Sequence, residues 1–96
     1  MVVGRAARRA SRKAAVTESF GPMKAEAALD LLELIEFAWH DCYAEISPPD
    51  AVVDDILVVA GGDLAKLIRV ARRAVEDFRD VQLHADAIRA EAAERA

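Results

Sequence analysis

The sequence predicts an all-α protein, and three observations lead to this prediction. Apolar residues recur at alternating steps of three and four residues between Leu64 and Ala92, which places them on one face of a helix. Residues 23–46 show the same spacing and predict another long helix, which comes earlier in the chain. Pro48-Pro49 and Gly61-Gly62 interrupt the chain between these segments, and no segment alternates apolar and polar residues as a strand does. The chain has 96 residues, which is enough for one domain.

The third predicted helix, residues 64–94, carries an apolar seam that repeats every seven residues over four heptads. At 1.5 Å per residue, this helix is a rod of roughly 45 Å. Its seam needs a covering surface, which we expect the first predicted helix, residues 23–46, to supply by antiparallel packing. The packing interface is predicted to contain Leu64, Leu67, Ala71, Ala74, Phe78, Val81, Ala85, Ile88, Leu32, Ile35 and Trp39.

The first predicted helix has more apolar surface than one seam requires. Leu31, Leu34 and Ala38 form a second apolar row beside the first, while acidic residues fill much of the remaining arc. A helix with such a wide apolar arc is packed on two sides, so we expect it to lie at the centre of a bundle.

Apolar surface is also left over on the third predicted helix, where Ile68, Val70 and Val75 lie beside the seam. The second predicted helix, residues 48–60, is only about 20 Å long and is too short to cover it. A second copy of the chain is the simplest way to bury these rows. We therefore predict a three-helix module, long–short–long, that is completed as a homodimeric bundle through its first and third helices.

The two breaks predict where the short second helix begins and ends. Ser47 is expected to be its N-cap, with Pro48 at the first helical position and Asp50 in the place of a capping box. Gly61 can adopt the left-handed conformation that ends a helix. Asp63 is expected to cap the third helix through its carboxylate.

Residues 1–22 differ in composition from the rest of the chain. Five basic residues and one acidic residue give this segment a net charge of +4, whereas the whole chain carries −4. Its many alanines and few bulky apolar residues predict a flexible basic arm that is disordered or frayed. Two alternatives stay open, an arm that touches nucleic acid and an organellar targeting peptide. Met23 directly follows the change in composition, which leaves open whether translation begins there.

A nucleic-acid-associated protein is the first alternative function. The second helix, the Gly61-Gly62 turn and the start of the third helix could form a helix-turn-helix with a basic reading helix. Asp54, Asp55 and Asp63 surround the turn and would repel phosphate. The residues that would contact nucleic acid are Arg5, Arg8, Arg9, Arg12, Lys13, Lys66, Arg69, Arg72 and Arg73.

A metal-dependent hydrolase is the second alternative function. Glu33-x-x-Glu36 resembles the first half of the motif with which all-α nucleotide pyrophosphohydrolases hold magnesium. The resemblance implies a metal site at these two glutamates. The second half of that motif, Glu-x-x-Asp on the following helix, is absent from residues 48–60, and Asp77-x-x-Asp80 lies one helix later. The chain is therefore not assigned to that family.

No constellation of catalytic residues stands out elsewhere. His40 and Cys42 lie two residues apart on a helix, so their side chains point to nearly opposite sides and cannot form a nucleophile pair. Cys42, the only cysteine, shares a face with Trp39, so we expect its side chain to be buried in the helix packing. An unpaired cysteine of this kind is typical of a protein in a reducing compartment. No cofactor or metal is predicted, and no apolar run reaches the ~18 residues of a membrane span.

The leading interpretation is a small non-enzymatic module for protein–protein interaction or regulation, which acts as a homodimer in the cytoplasm. It follows from the excess of apolar helix surface in a chain without an assembled reactive site. The sequence does not identify a protein partner. An excess of Ala, Arg, Val and Asp is typical of GC-rich genomes and favours a bacterial source.

Overall fold

The computed structural model of the protein describes residues 4–95 and confirms that the chain is all-α. Four helices pack into a bundle that measures 38 × 29 × 27 Å, and no strand occurs between residues 4 and 95. Residues 1–3 of the predicted arm, and residue 96, lie outside the described residues. The helices are α1 (Arg5–Phe20), α2 (Ala25–Tyr43), α3 (Asp50–Ala60) and α4 (Leu64–Arg95).

The prediction of a three-helix module with a flexible arm is wrong, because residues 5–20 of that arm form a fourth helix, α1. Val16 and Phe20 enter the hydrophobic core with 0% and 7% of their surface exposed. The sequence offers too little bulky apolar surface to anchor a helix here by burial alone. α1 needs little apolar surface, because Arg8 and Arg12 hold its first half to α2 through ion pairs.

The hydrophobic core lies where α2, α3 and α4 meet. α1 packs on α2, α2 packs on α4, and α4 packs most extensively on α3. Trp39, Ile56 and Leu67 bring one large side chain from each of these three helices and are almost completely buried. Burial of an aliphatic side chain of this size stabilises a fold by about 1.5–3 kcal/mol. The core therefore joins α2 to the second half of the chain, and α1 lies at its edge.

The apolar seam of α4 is covered within a single chain. Leu67, Ala74, Val81 and Ala85 are completely buried by the protein's own helices. The seam therefore needs no second copy to cover it. The other predicted interface positions are also buried or partly buried against the same core, namely Leu64, Ala71, Phe78, Ile88, Leu32, Ile35 and Trp39.

α4 is not the straight rod that the seven-residue repeat predicts. Asp77 has an extended backbone (φ −160°, ψ 101°), which kinks the helix between residues 64–76 and 78–95. A straight helix of 32 residues would be about 48 Å long. The longest dimension of the whole bundle is only 38 Å. The kink therefore allows both segments of α4 to stay on the core.

Two hydrogen bonds compensate for the break in α4. The Asp77 carboxylate accepts the backbone N–H of Arg79 at 3.1 Å, as an aspartate does at the start of a helix. The Tyr43 hydroxyl donates to the backbone carbonyl of Ala74 at 3.0 Å, a group that in a continuous helix accepts from Phe78. The side chain of Asp77 thus starts the second segment, and Tyr43 ties the kink to α2.

The turn between α3 and α4 confirms two local predictions. Gly61 ends α3 in the left-handed conformation with φ at 58°, and the Asp63 carboxylate accepts the backbone N–H of Lys66 at 3.1 Å. Gly62 also has a positive φ, at 81°, and a Cβ atom there would collide with the carbonyl oxygen of Ser19. The absence of a side chain at Gly62 is what lets the end of α1 approach this turn.

Candidate interaction surfaces

An apolar groove of about 310 Å³ lies on the surface between α2 and the first segment of α4. Leu31, Leu34 and Ala38 of α2 line one side, and Ile68 and Val75 of α4 line the other. These are apolar rows that the sequence shows beside the two helical seams. The fold brings the rows of both helices together in one place.

The groove is open to solvent and mostly apolar. Leu34 and Ile68 expose 62% and 55% of their surface. Arg72 and Glu76 bring one charge of each sign to the lining and lie 3.5 Å apart. Val70, which the sequence also shows beside the seam, is instead buried in the core. The groove therefore presents the leftover apolar surface without a net charge.

A different side of α2 is acidic and is covered by the basic helix α1. α2 contains five Asp and Glu residues and no Lys or Arg, whereas α1 contains five Lys and Arg residues and one Glu. Arginines of α1 form ion pairs with four of the carboxylates of α2. We call these four residues the acidic face of α2, and they are Glu26, Asp30, Glu33 and Glu36.

Glu36 is the buried member of the acidic face, with 4% of its side chain exposed. Arg8 binds it through two hydrogen bonds, from Nε to Oε2 at 2.6 Å and from Nη2 to Oε1 at 3.0 Å. Arg12 Nη1 donates to Oε2 at 3.2 Å, and the Ser47 hydroxyl donates to the same oxygen at 2.8 Å. One carboxylate thus joins α1, α2 and the loop before α3.

The electrostatics of this cluster favour the ionised carboxylate. Burial acts to raise the pKa of Glu36, but the hydrogen bonds from Arg8 and Ser47 and the charges of Arg8 and Arg12 outweigh it, so this pKa is lowered. The hydrogen bonds with Glu36 in turn raise the pKa of Arg8. Arg12 is also buried, and its Nε has no hydrogen-bond partner among the described residues. Two guanidinium groups thus donate hydrogen bonds to one buried carboxylate, and a third, that of Arg5, has its Nε 3.9 Å from Oε1.

Ser47 is not the N-cap that the sequence predicts. α3 begins at Asp50, and Pro49 occupies the N-cap position without a side-chain hydrogen bond. The Ser47 hydroxyl accepts from Arg12 Nη2 at 2.9 Å while it donates to Glu36. Hydrogen bonds to charged groups are about twice as strong as neutral ones. The Ser47 hydroxyl therefore binds the ionic cluster and not the backbone N–H groups at the start of α3.

Arg9 binds the remainder of the acidic face at its solvent-exposed edge. Its Nη2 lies 2.6 Å from Glu26 Oε2, and its Nη1 lies 2.8 Å from Asp30 Oδ1 and 3.3 Å from Glu33 Oε1. The hydrogen bonds with Asp30 and Glu26 raise the pKa of Arg9. Glu26 and Asp30 are largely exposed, so water and salt screen these pairs. This edge of the α1–α2 contact is weaker than the buried cluster at Glu36.

The basic residues of α1 that the sequence offers for nucleic-acid contact are mostly engaged. Arg8 and Arg12 bind Glu36, so a phosphate group would have to compete with a buried carboxylate. The Arg5 guanidinium lies 4.6 Å from the centre of the Phe37 ring, a favourable cation–π arrangement. Arg9 is engaged by the other carboxylates of the acidic face, as described above. Lys13 is exposed.

The basic residues of α4 are more accessible. Lys66, Arg69 and Arg73 are exposed, follow one another at steps of three and four, and form no ion pair with any residue between 4 and 95. Arg72 instead lines the groove and pairs with Glu76. Of the predicted nucleic-acid contacts, the stripe of Lys66, Arg69 and Arg73 is therefore the most available for phosphate.

The two glutamates of the pyrophosphohydrolase-like motif are both bound by arginines. Glu33 Oε1 lies 3.3 Å from Arg9, and Glu36 Oε2 lies 2.6 Å from Arg8. A metal ion at this position would have to displace these guanidinium groups. Among the described residues, no three His, Cys, Asp or Glu side chains are grouped so as to hold a metal ion.

The prediction that Cys42 is buried is wrong, because its side chain is exposed. The ring of Trp39 is instead covered by Tyr43, one turn further along α2, with ring centroids 4.2 Å apart. Phe78 of α4 completes this aromatic cluster at 6.1 Å from Trp39. The helix ends at Tyr43, and Ala44 turns the chain away with φ at 57°.

Sequence reasoning missed the buried ionic cluster, although one signal for it was present. Arg8, Arg12, Val16 and Phe20 follow one another at steps of four residues, so they form a single row on α1. The last two residues of that row are buried in the core, and the first two bind Glu36. A row in which arginines precede apolar residues therefore indicated a docked helix rather than a free arm.

The fold defines the protein as an all-α helical bundle with two distinct surfaces on α2, the groove and the acidic face. No protein-family model matches the chain, and no curated protein and no solved structure is significantly similar to it. None of the four helices described is long and apolar enough to cross a lipid bilayer. A functional proposal therefore has to start from the two surfaces themselves.

Proposed function

We propose that the protein is a small non-enzymatic helical module for protein–protein interaction, and that it self-associates as a homodimer through the groove between α2 and α4. The observation that carries this proposal is the meeting of leftover apolar rows from two helices in one open groove. Leu34 and Ile68 are more than half exposed there, and burial of such side chains is the main driving force of protein association.

A second copy of the chain suits the groove in charge as well as in polarity. Arg72 and Glu76 lie in the lining one helical turn apart. In two copies related by a twofold axis, the Arg72 of each can therefore face the Glu76 of the other. Because Leu34 and Ile68 are the main exposed apolar side chains of the groove, we expect micromolar rather than nanomolar affinity.

Sedimentation equilibrium over a wide concentration range tests this proposal. The unmodified chain should change from monomer to dimer in the micromolar range. Leu34→Glu places a charge in the groove and should leave the protein folded but monomeric. Leu83→Glu is the matched control, since Leu83 is 70% exposed on the second segment of α4 and does not line the groove.

Far-UV circular dichroism should show the same helix content for both variants. A chain that stays monomeric at high micromolar concentration contradicts the proposed dimer. Equal dimerisation of Leu34→Glu and Leu83→Glu would show that the copies associate through another surface.

Nucleic-acid association is a second candidate, favoured by the exposed stripe of Lys66, Arg69 and Arg73. Binding of this kind is driven by release of counterions from phosphates, so it weakens steeply as salt rises. Fluorescence anisotropy with labelled duplex DNA measures it directly. Lys66→Gln and Arg69→Gln should each weaken binding, whereas Lys24→Gln serves as the control, because Lys24 is exposed and is not among the predicted contacts. The absence of binding at low salt would eliminate this candidate.

A further inference from the structure

The two halves of α1 are held to the bundle by different forces. In the second half, Val16 and Phe20 are buried in the core. In the first half, residues 5–12, only Arg12 is buried, and guanidinium–carboxylate pairs supply the contacts with the acidic face of α2. Salt screens such pairs, least where they are buried. Salt therefore loosens the first half of α1 more easily than the second half, whose apolar contacts it does not screen.

The acidic face has the pattern of a receptor for a basic helix. Its four carboxylates follow one another at steps of four, three and three residues, so they line one side of α2. α2 has no lysine or arginine that could balance them. With α1 removed, this face would be strongly negative and would repel nucleic acids and acidic peptides. The arginines of α1 match it in sign, since Arg8 and Arg12 bind Glu36 and Arg9 binds the other three carboxylates.

The connection between α1 and α2 is short and lies at the surface. It comprises residues 21–24, in which Gly21 has φ at 80° and Met23 is 95% exposed. A short tether keeps α1 near its site at an effective concentration of about millimolar. A helix in solution has to compete with this tethered helix, so its binding depends on how firmly α1 is held.

From this geometry we propose that the acidic face of α2 is a docking site for an arginine-bearing helix of a partner protein, and that the first half of α1 is an exchangeable occupant of this site. The partner helix would carry arginines in the places of Arg8, Arg9 and Arg12, while Val16 and Phe20 keep the second half of α1 in the core. The site lies on a different side of α2 from the groove and does not depend on the proposed dimer.

The test measures binding of a fluorescent peptide of residues 4–22 to the intact chain by anisotropy. Arg8→Ala in the chain removes two hydrogen bonds of the resident helix with Glu36 and loosens its hold on the site. The peptide should then bind about tenfold more tightly than to the unmodified chain. Lys13→Ala is the matched control, because it also removes one positive charge from α1. Lys13 is exposed and forms no ion pair with the residues described, 4–95.

A peptide that itself carries Arg8→Ala should bind the Arg8→Ala chain about tenfold more weakly than the natural peptide does. High salt should weaken both complexes. If the Arg8→Ala chain loses helix content by circular dichroism, Arg9→Ala is the second variant, because Arg9 holds the exposed edge of the same face.

Equal peptide binding by the Arg8→Ala and Lys13→Ala chains would overturn the proposal, because only the net charge would then matter. A complete lack of binding to the Arg8→Ala chain at low salt would show that α1 is a permanent part of the fold. Leu34→Glu should leave peptide binding unchanged. If it abolishes binding, the peptide occupies the groove, and the acidic face is not the docking site.

Discussion

The α1–α2 contact and the α3–α4 contact hold one bundle together by different means. α3 buries Val53, Ile56 and Val59, and one ion pair, Asp55–Arg89, joins the described parts of α3 and α4. α1 buries two apolar side chains and meets four carboxylates of α2 instead. Apolar burial is non-directional and insensitive to charge screening, whereas ion pairs depend on geometry, salt and pH. The two contacts of this protein should therefore respond differently to solution conditions.

The largest expected effect lies in the apolar contact. Leu67→Ala removes a completely buried side chain of α4 and should lower the free energy of unfolding by about 2–5 kcal/mol. Urea denaturation measures this change. Leu83→Ala, at an exposed position of the same helix, should change stability by no more than about 0.5 kcal/mol. Similar losses in the two variants would show that the α3–α4 contact is not the stable part of the bundle.

The next effect lies in the buried ionic cluster. Glu36→Gln leaves Arg8 and Arg12 without their shared counter-charge and should cost about 2 kcal/mol at neutral pH. Thermal unfolding monitored by circular dichroism measures the loss. Asp41→Asn is the control, because Asp41 is an exposed carboxylate of α2 outside the acidic face. A loss no larger than that of the control would mean that the cluster does not stabilise the fold.

The same variant tests the pH dependence. Because folding lowers the pKa of Glu36, its ionised form stabilises the fold above the ordinary pKa of a glutamate, about 4.3. This stabilisation is lost as the pH falls through the lower pKa of the folded state. The unmodified chain and Asp41→Asn should therefore lose stability in acid more steeply than Glu36→Gln. Parallel curves for all three chains would exclude Glu36 as a source of the acid sensitivity.

The smallest effect is expected at the ion pair between α3 and α4. Arg89 Nη1 lies 2.7 Å from Asp55 Oδ1, and the Arg89 side chain is 43% exposed. Arg89→Ala should therefore cost at most about 1 kcal/mol in urea denaturation. A loss as large as that of Glu36→Gln would remove the contrast between the two contacts.

The sequence predicts those elements that are determined by residues close together in the chain. The apolar repeat predicts the all-α class and the two long helices, and Gly61 and Asp63 predict the turn between α3 and α4. α1 was missed because its anchoring is long-range, as Arg12 and the Glu36 that it binds are 24 residues apart. The kink in α4 was missed because Val81 and Ala85 keep the phase of the repeat beyond Asp77.

The groove was predictable in part. The sequence shows Leu31, Leu34 and Ala38 as one leftover row and Ile68 and Val75 as another, but only the packing of α2 on α4 sets them side by side. The sequence shows the acidic face only as a polar arc of a helix. Periodicity predicts on which side of a helix a residue lies, but it does not predict which residues form ion pairs with one another.

The kink at Asp77 divides α4, the longest of the helices described, into two segments that contact different parts of the molecule. Residues 64–76 form one wall of the groove, while residues 78–95 include Arg89, which binds α3. An unbroken helix would hold both segments in one direction, whereas the extended residue lets each segment follow the surface on which it packs. The groove wall and the segment that binds α3 therefore have independent directions.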